Sequence, residues 1–295
     1  MSLEATAGQT FRTILSLGGV VVAAGLGLKI LALVLEPRLT FFPPPGLPVT
    51  PAALALPYED VSVRTGDGVR LHGWFIPAAC DRSAAPLTLL FFHGNAENIS
   101  PYITLARLTR DAGYSLLLID YRGYGRSEGS PSERGIYADG EAALRYLRGR
   151  DDVDPRRIVL WGRSIGSAVA VHLAARAPAG GPSASRPAGV ILESSFTSAL
   201  ELLRDGGYWP LYPLALLGSY RFDQAAKIGG VESPLMVIHG TEDRVVPFRL
   251  GRRLFDLAPG GKVFVAIRGG GHNDLLALHA GALWEGVRRF LDSLG

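Results

Sequence analysis

The strongest constraint on the fold is the stretch from Ile158 to Ala175, which reads IVLWGRSIGSAVAVHLAA. Ile158, Val159, Leu160 and Trp161 have the make-up of a strand buried on both faces, and the small apolar residues from Ala168 onward read as a buried helix. Only Gly162-Arg163-Ser164-Ile165-Gly166 is left to turn one into the other. So short a turn forces its central residue into a strained backbone conformation, and strand and helix can pass closely only if the flanking residues are small. The consequence is a serine hydroxyl held at a sheet edge and at a helix N-terminus, the G-x-S-x-G nucleophile elbow.

A chain with 37 glycines matches that pentapeptide more than once, so the flanking sequence has to decide. Gly125-Arg126-Ser127-Glu128-Gly129 also fits, but it lies inside DYRGYGRSEGSPSERG, which is loop composition with no apolar run on either side. Ser127 is therefore read as a turn residue and Ser164 as the nucleophile.

The remaining strands follow from short apolar or β-branched runs. Tyr58 to Arg64 and Val69 to Ile76 flank Thr65-Gly66-Asp67-Gly68, a hairpin turn signal. Leu87–Phe92, Tyr114–Asp120, the elbow strand, Gly189–Leu192, Leu235–Ile238 and Lys262–Ile267 complete an expected set of eight. One helix is expected to start at Ser100-Pro101, as N-cap and first-turn proline, and to carry Ile103, Leu105 and Leu108; a second runs through Ala142, Leu144 and Leu147, and a last one covers Leu283–Leu291. Residues 179–188 read as a surface loop. Phe196 to Asp223, aromatic-rich but broken by Gly206-Gly207, Pro210 and Pro213, suits a small cap over the site or a helix packed on the sheet.

Three strand ends carry chemistry. His93-Gly94-Asn95 leaves the third strand, where the Asn95 N–H can face the site; the Ile165 N–H, just after the nucleophile, is the second oxyanion donor. His93 itself is read as shaping that loop. Asp243, in HGTEDRVVP, lies where a triad acid belongs, with Glu242 facing solvent and Glu193 as a rival acid at the end of its own strand. His272, in GGGHND directly after the last strand, lies outside any apolar periodicity and is the expected general base. The order Ser164, Asp243, His272 separates this arrangement from the other serine-triad folds. No cofactor or metal is expected: GYGRSEG lacks the third glycine of a dinucleotide fingerprint at its required offset, and no H-E-x-x-H occurs. A serine at position 164 also argues against haloalkane or epoxide hydrolysis, which need a carboxylate nucleophile.

From Ile14 to Leu35 the only charge is Lys29. As a helix that run is about 33 Å long, enough for a hydrocarbon core of about 30 Å. Lys29 lies near its end, where the stem can snorkel to the headgroups. The run ends in bulky residues, Leu31 to Leu35, and not in a small-x-small cleavage site, so an uncleaved single-pass membrane anchor is expected. Charges flank both sides and leave the orientation open. The organisation is thus a tail at 1–13, an anchor at 14–35, a stiff Pro-rich connector at 36–57 and a catalytic domain at 58–295 with its cap at about 196–223. The lone Cys80 excludes an internal disulfide, and the net charge of +3 comes from dispersed arginines that form no nucleic-acid stripe.

On FFHGNAENI, DYRGYGRSEG, GRSIG, HGTEDRVVP and GGGHND, the chain from Tyr58 onward resembles the α/β-hydrolase superfamily. With the apolar span and FFPPP ahead of it, it is similar more narrowly to the membrane-anchored serine hydrolases of the bud-emergence-suppressor-like branch, which includes protein depalmitoylases. The resemblance implies an α/β fold with a mostly parallel eight-stranded sheet flanked by helices and a small cap. It also implies a triad of Ser164, Asp243 and His272, with Asn95 and Ile165 as oxyanion residues. The expectation is a membrane-tethered enzyme cleaving lipid-like acyl esters or thioesters. The alternatives are a serine peptidase on short peptides and a catalytically silent interaction protein.

Overall fold

The computed structural model describes residues 3–79, 86–176 and 186–295, without the side chains of residues 3–18 and 21. Cys80, much of the expected loop at 179–188 and the side chains of the 1–13 tail lie outside the described residues, as do the side chains of the first part of the expected anchor. The chain opens with helix α1 (Leu3–Thr40), then the hairpin β1 (Glu59–Arg64) and β2 (Arg70–Ile76). Alternation follows: β3 (Thr88–Phe92), α2 (Ile103–Asp111), β4 (Ser115–Ile119), α3 (Glu133–Arg148), β5 (Ile158–Arg163), α4 (Ile165–Ala175) and β6 (Gly189–Glu193). Two short helices, α5 (Ala199–Asp205) and α6 (Tyr212–Leu217), form a cap; β7 (Leu235–Gly240), α7 (Phe248–Leu257), β8 (Lys262–Ile267), α8 (Leu275–Leu278) and α9 (Ala280–Asp292) complete the domain.

The eight strands form one sheet in the order β1-β2-β4-β3-β5-β6-β7-β8. β2 pairs antiparallel with both β1 and β4, and the other neighbours are parallel. Helices on both faces explain the continuous apolar runs: every residue of β3, β4, β5, β6 and β7 is buried. Alternate residues feed two cores, with Leu90, Phe92 and Leu160 on one face and Leu89, Phe91 and Trp161 on the other. From β3 the chain steps out to β4, then crosses back over β3 to reach β5. That reversal places the loops after β3 and β5 side by side at the carboxyl edge, the place where open α/β sheets bind ligands.

Two local expectations are corrected. The connector does not begin at residue 36: α1 continues through Pro37 to Thr40, and residues 51–54 form a 3-10 turn. A proline inside a helix normally breaks it. Here the last turn is held from outside, because the Glu36 carboxylate accepts the backbone N–H groups of Ser219 and Tyr220, and Phe41 packs edge-on against Tyr220 and Phe222. Nor does Ser100 cap α2. Its hydroxyl donates to the Val49 carbonyl at 2.5 Å and accepts from the Val49 N–H at 2.8 Å, tying the connector to the domain.

Candidate active site

Ser164 has φ 52° and ψ −117°, between the last residue of β5 and the first of α4. That conformation costs of order 1–3 kcal/mol for a residue with a side chain and persists only where the surroundings over-determine it. They do so through two glycines. A Cβ on Gly162 would stand 2.2 Å from the Gly166 carbonyl oxygen, and one on Gly166 would stand 2.2 Å from that of Phe92. Both contacts are with backbone, which cannot step aside. The Ser164 N–H is fixed to the Glu193 carbonyl at 2.8 Å.

His272, between β8 and α8, brings Nε2 to 3.2 Å from Ser164 Oγ and Nδ1 to 2.8 Å from Asp243 Oδ2. Asp243 follows β7 and is buried. Burial opposes its ionisation, but hydrogen bonds from His239 and His272 and from the Val246 N–H outweigh that cost and hold the carboxyl well below the usual carboxylate range. It therefore stays a carboxylate beside the imidazole. His239 Nε2 donates to the Val246 carbonyl at 2.9 Å and lies 3.4 Å from Asp243 Oδ2, so it braces the acid's loop. Glu193, the rival acid, does not reach His272: it accepts from Trp161 Nε1 at 3.0 Å and lies 3.3 Å from Arg163 Nε. Ser127 is also accounted for, its Oγ donating to the Asp120 carbonyl and accepting the His72 N–H.

The backbone N–H groups of Asn95 and Ile165 have no partner among the described residues, and both residues line the cavity that holds Ser164 and His272. The Asn95 side chain is spent on anchoring: Nδ2 donates to the Thr40 carbonyl at 2.5 Å, and Oδ1 accepts from Tyr124 Oη at 2.9 Å. His93 is fully buried, packed against Tyr121 and Tyr124, with Nδ1 on the Gly94 carbonyl, so it shapes the loop. The cavity has a volume of about 580 Å³ and takes much of its wall from the cap, through Leu202, Leu203 and Leu211, and from the end of α1 and the residues after it, through Leu39 and Phe42.

Arg163, next to the serine, has a role that its sequence position does not reveal. Its Nη2 donates to the His272 carbonyl at 2.7 Å and to Asn273 Oδ1 at 3.0 Å, while Nη1 bonds Glu97. Glu97 in turn accepts the Gly94 N–H at 2.7 Å. One buried guanidinium thus joins the loops that carry the serine, the histidine and the Asn95 N–H. Burial disfavours ionisation of Glu97, and the Arg163 charge more than reverses this, lowering its pKa. The only sequence signal was a charged residue inside an apolar elbow strand.

A family model described as the alpha/beta hydrolase fold matches residues 88–227. An uncharacterized protein of Mycobacterium tuberculosis is 40% identical over 255 residues, covering 86% of each chain. The alpha/beta hydrolase domain-containing protein WAV2 of Arabidopsis thaliana is 33% identical over 295 residues, covering 93% of this chain and 92% of its own. Among solved structures, the Pyrococcus furiosus esterase Pf2001 superposes with a TM-score of 0.70 at 21% identity, over 87% of this chain and 99% of its own, which is a likeness of fold.

Proposed function

The chain belongs to the α/β-hydrolase family, and from that premise we propose that it is a serine hydrolase cleaving carboxylic esters and thioesters of lipid-like acyl groups. The observation that carries the proposal is the contact line from Ser164 Oγ through His272 to the Asp243 carboxylate, opening into a largely apolar cavity. In this reading His272 Nε2 takes the hydroxyl proton as Ser164 Oγ attacks the acyl carbon, and Asp243 stabilises the imidazolium and fixes its tautomer. The N–H groups of Asn95 and Ile165 receive the oxyanion, each such donor being worth roughly 3–4 kcal/mol in related chemistry. The imidazolium then protonates the leaving alkoxide or thiolate, and a water deprotonated by His272 releases the acyl group.

An apolar chamber walled by the cap favours acyl chains over peptides, whose amides would need polar partners there. Membrane tethering through residues 14–35 is part of the same proposal. The described part of α1 supports it, because Val20, Val22, Leu26 and Ile30 are exposed around the helix and have no protein face to cover them. Among the described residues themselves, no helix is long and apolar enough to cross a membrane. The side chains at the start of the expected span, residues 14–18, lie outside the described residues.

The test is labelling with a fluorophosphonate probe. Wild type and Ser127→Ala are expected to label, and Ser164→Ala to lose labelling together with turnover of p-nitrophenyl esters. Esterase turnover that survives Ser164→Ala sinks the assignment.

A further inference from the structure

A second, smaller cavity of about 80 Å³ lies between α1 and the cap. It is not a separate site. Leu39, Thr40, Ala199, Leu203, Leu211 and Phe222 line both this cavity and the one holding Ser164, so the two adjoin across a common wall of side chains. Beyond that common wall the seam is bounded by Ala32 on α1 and by Leu214 and Ala215 on α6. Its one ionisable carboxylate, Glu36, has both oxygens occupied by the N–H groups of Ser219 and Tyr220 and the Ser219 hydroxyl. Apart from Thr40 and Tyr220, what remains lining the seam is apolar.

We infer that the acyl chain of the substrate runs from Ser164 through the cap chamber into this seam, so that α1 forms one wall of the acyl-binding site and sets the preferred chain length. The inference rests on the ester-hydrolase reading of the preceding section and adds the ligand's path and class, a long linear acyl chain. A chain lying there exchanges water for Leu39, Leu211 and Leu214, and each added methylene gains binding only while the seam has room. The outer flank of the seam is also apolar: Leu31, Val34 and Leu39 of α1 and Leu211 and Leu216 of the cap are exposed. A chain leaving a bilayer alongside α1 would therefore meet a largely apolar surface on its way in.

The test uses full-length protein in detergent micelles and compares kcat/KM for p-nitrophenyl palmitate and p-nitrophenyl butyrate. Ala215→Trp and Ala32→Trp fill the seam from opposite walls, and Ala215→Leu is a milder fill that keeps the measurement readable where tryptophan does not fold. Fluorophosphonate labelling checks that each variant is folded. The palmitate-to-butyrate ratio is expected to fall about tenfold or more in the filled variants, roughly the worth of two buried methylenes. In Leu278→Ala, at an exposed position of α8 that lines neither cavity, it is expected to stay at the wild-type value. Wild type that turns over both esters, with a ratio that filling does not move, overturns the seam alone. Wild type that turns over neither overturns the hydrolase reading and the inference with it.

Discussion

Single residues carry the heaviest chemical demands here, and Asp243 meets two of them. Its carboxylate orients His272, so Asp243→Asn presents an amide where the Nδ1 proton needs an acceptor; kcat is expected to fall about 10⁴-fold in steady-state ester hydrolysis. The same side chain links stability to pH. An aspartate titrates near 3.9 in an unfolded chain, and in the folded protein Asp243 stays charged well below that. Between the two values the unfolded chain binds the extra proton, so this stabilisation is complete above about pH 4 and is lost as pH falls below it. Urea unfolding at a series of pH values from neutral to acid should show a shallower acid loss in Asp243→Asn than in wild type. Arg163 sets a different demand, since it positions without touching substrate. Arg163→Lys keeps the charge opposite Glu97 and Glu193 but cannot reproduce the forked bonds to His272 and Asn273. A slight misplacement of the histidine loop can cost about 10² in rate. The expected signature is that loss in kcat with KM little changed; an equal loss confined to KM argues against a positioning role.

At the level of elements, legibility followed burial. The strands could be read because those buried on both faces are near-continuous apolar runs, and the elbow because its glycines sit where backbone meets backbone. Ser164, Asp243 and His272 were visible as polar residues stranded at strand ends, and the structure brings their side chains together. What stayed hidden depends on contacts between segments far apart in sequence. Glu36 bonds residues 219 and 220, Ser100 bonds Val49, and Arg163 bonds residues 97 and 272; no local pattern encodes such partners. Helix α3 offers a prediction at this scale. Gly140 lies where α3 crosses α4, and a Cβ there would stand 2.4 Å from Val169 Cγ1 and 3.2 Å from Leu173 Cδ1. These are side-chain atoms that can yield, so Gly140→Ala should fold with a destabilisation of about 1–3 kcal/mol from overpacking. A lowered urea midpoint with unchanged slope is the expected result.

For the whole molecule the open physical problem is α1, because a helix that is apolar on every side has to be covered by something. The domain covers little of it: of the described residues before Leu35 only Ala32 is buried, and Val22 remains 70% exposed. From Glu36 onward the same helix is latched to the cap and contributes Leu39 and Thr40 to the cavity around Ser164. One end is built into the enzyme, and the described residues at 19, 20 and 22–31 are exposed, which is the arrangement expected of a tether that also holds the site close to a bilayer. An arginine near the middle of a span costs about 2.5–3.5 kcal/mol on insertion scales. Val22→Arg with Leu26→Arg should therefore shift full-length chain from carbonate-resistant membranes to the soluble fraction, while fluorophosphonate labelling of Ser164 in detergent persists, since both residues are exposed and neither lines the cavity around Ser164. The competing cover is a second copy of α1. If the wild-type chain is extracted by carbonate and runs as a dimer that the double substitution splits, then α1 pairs with itself in water, and the membrane reading of this helix is wrong.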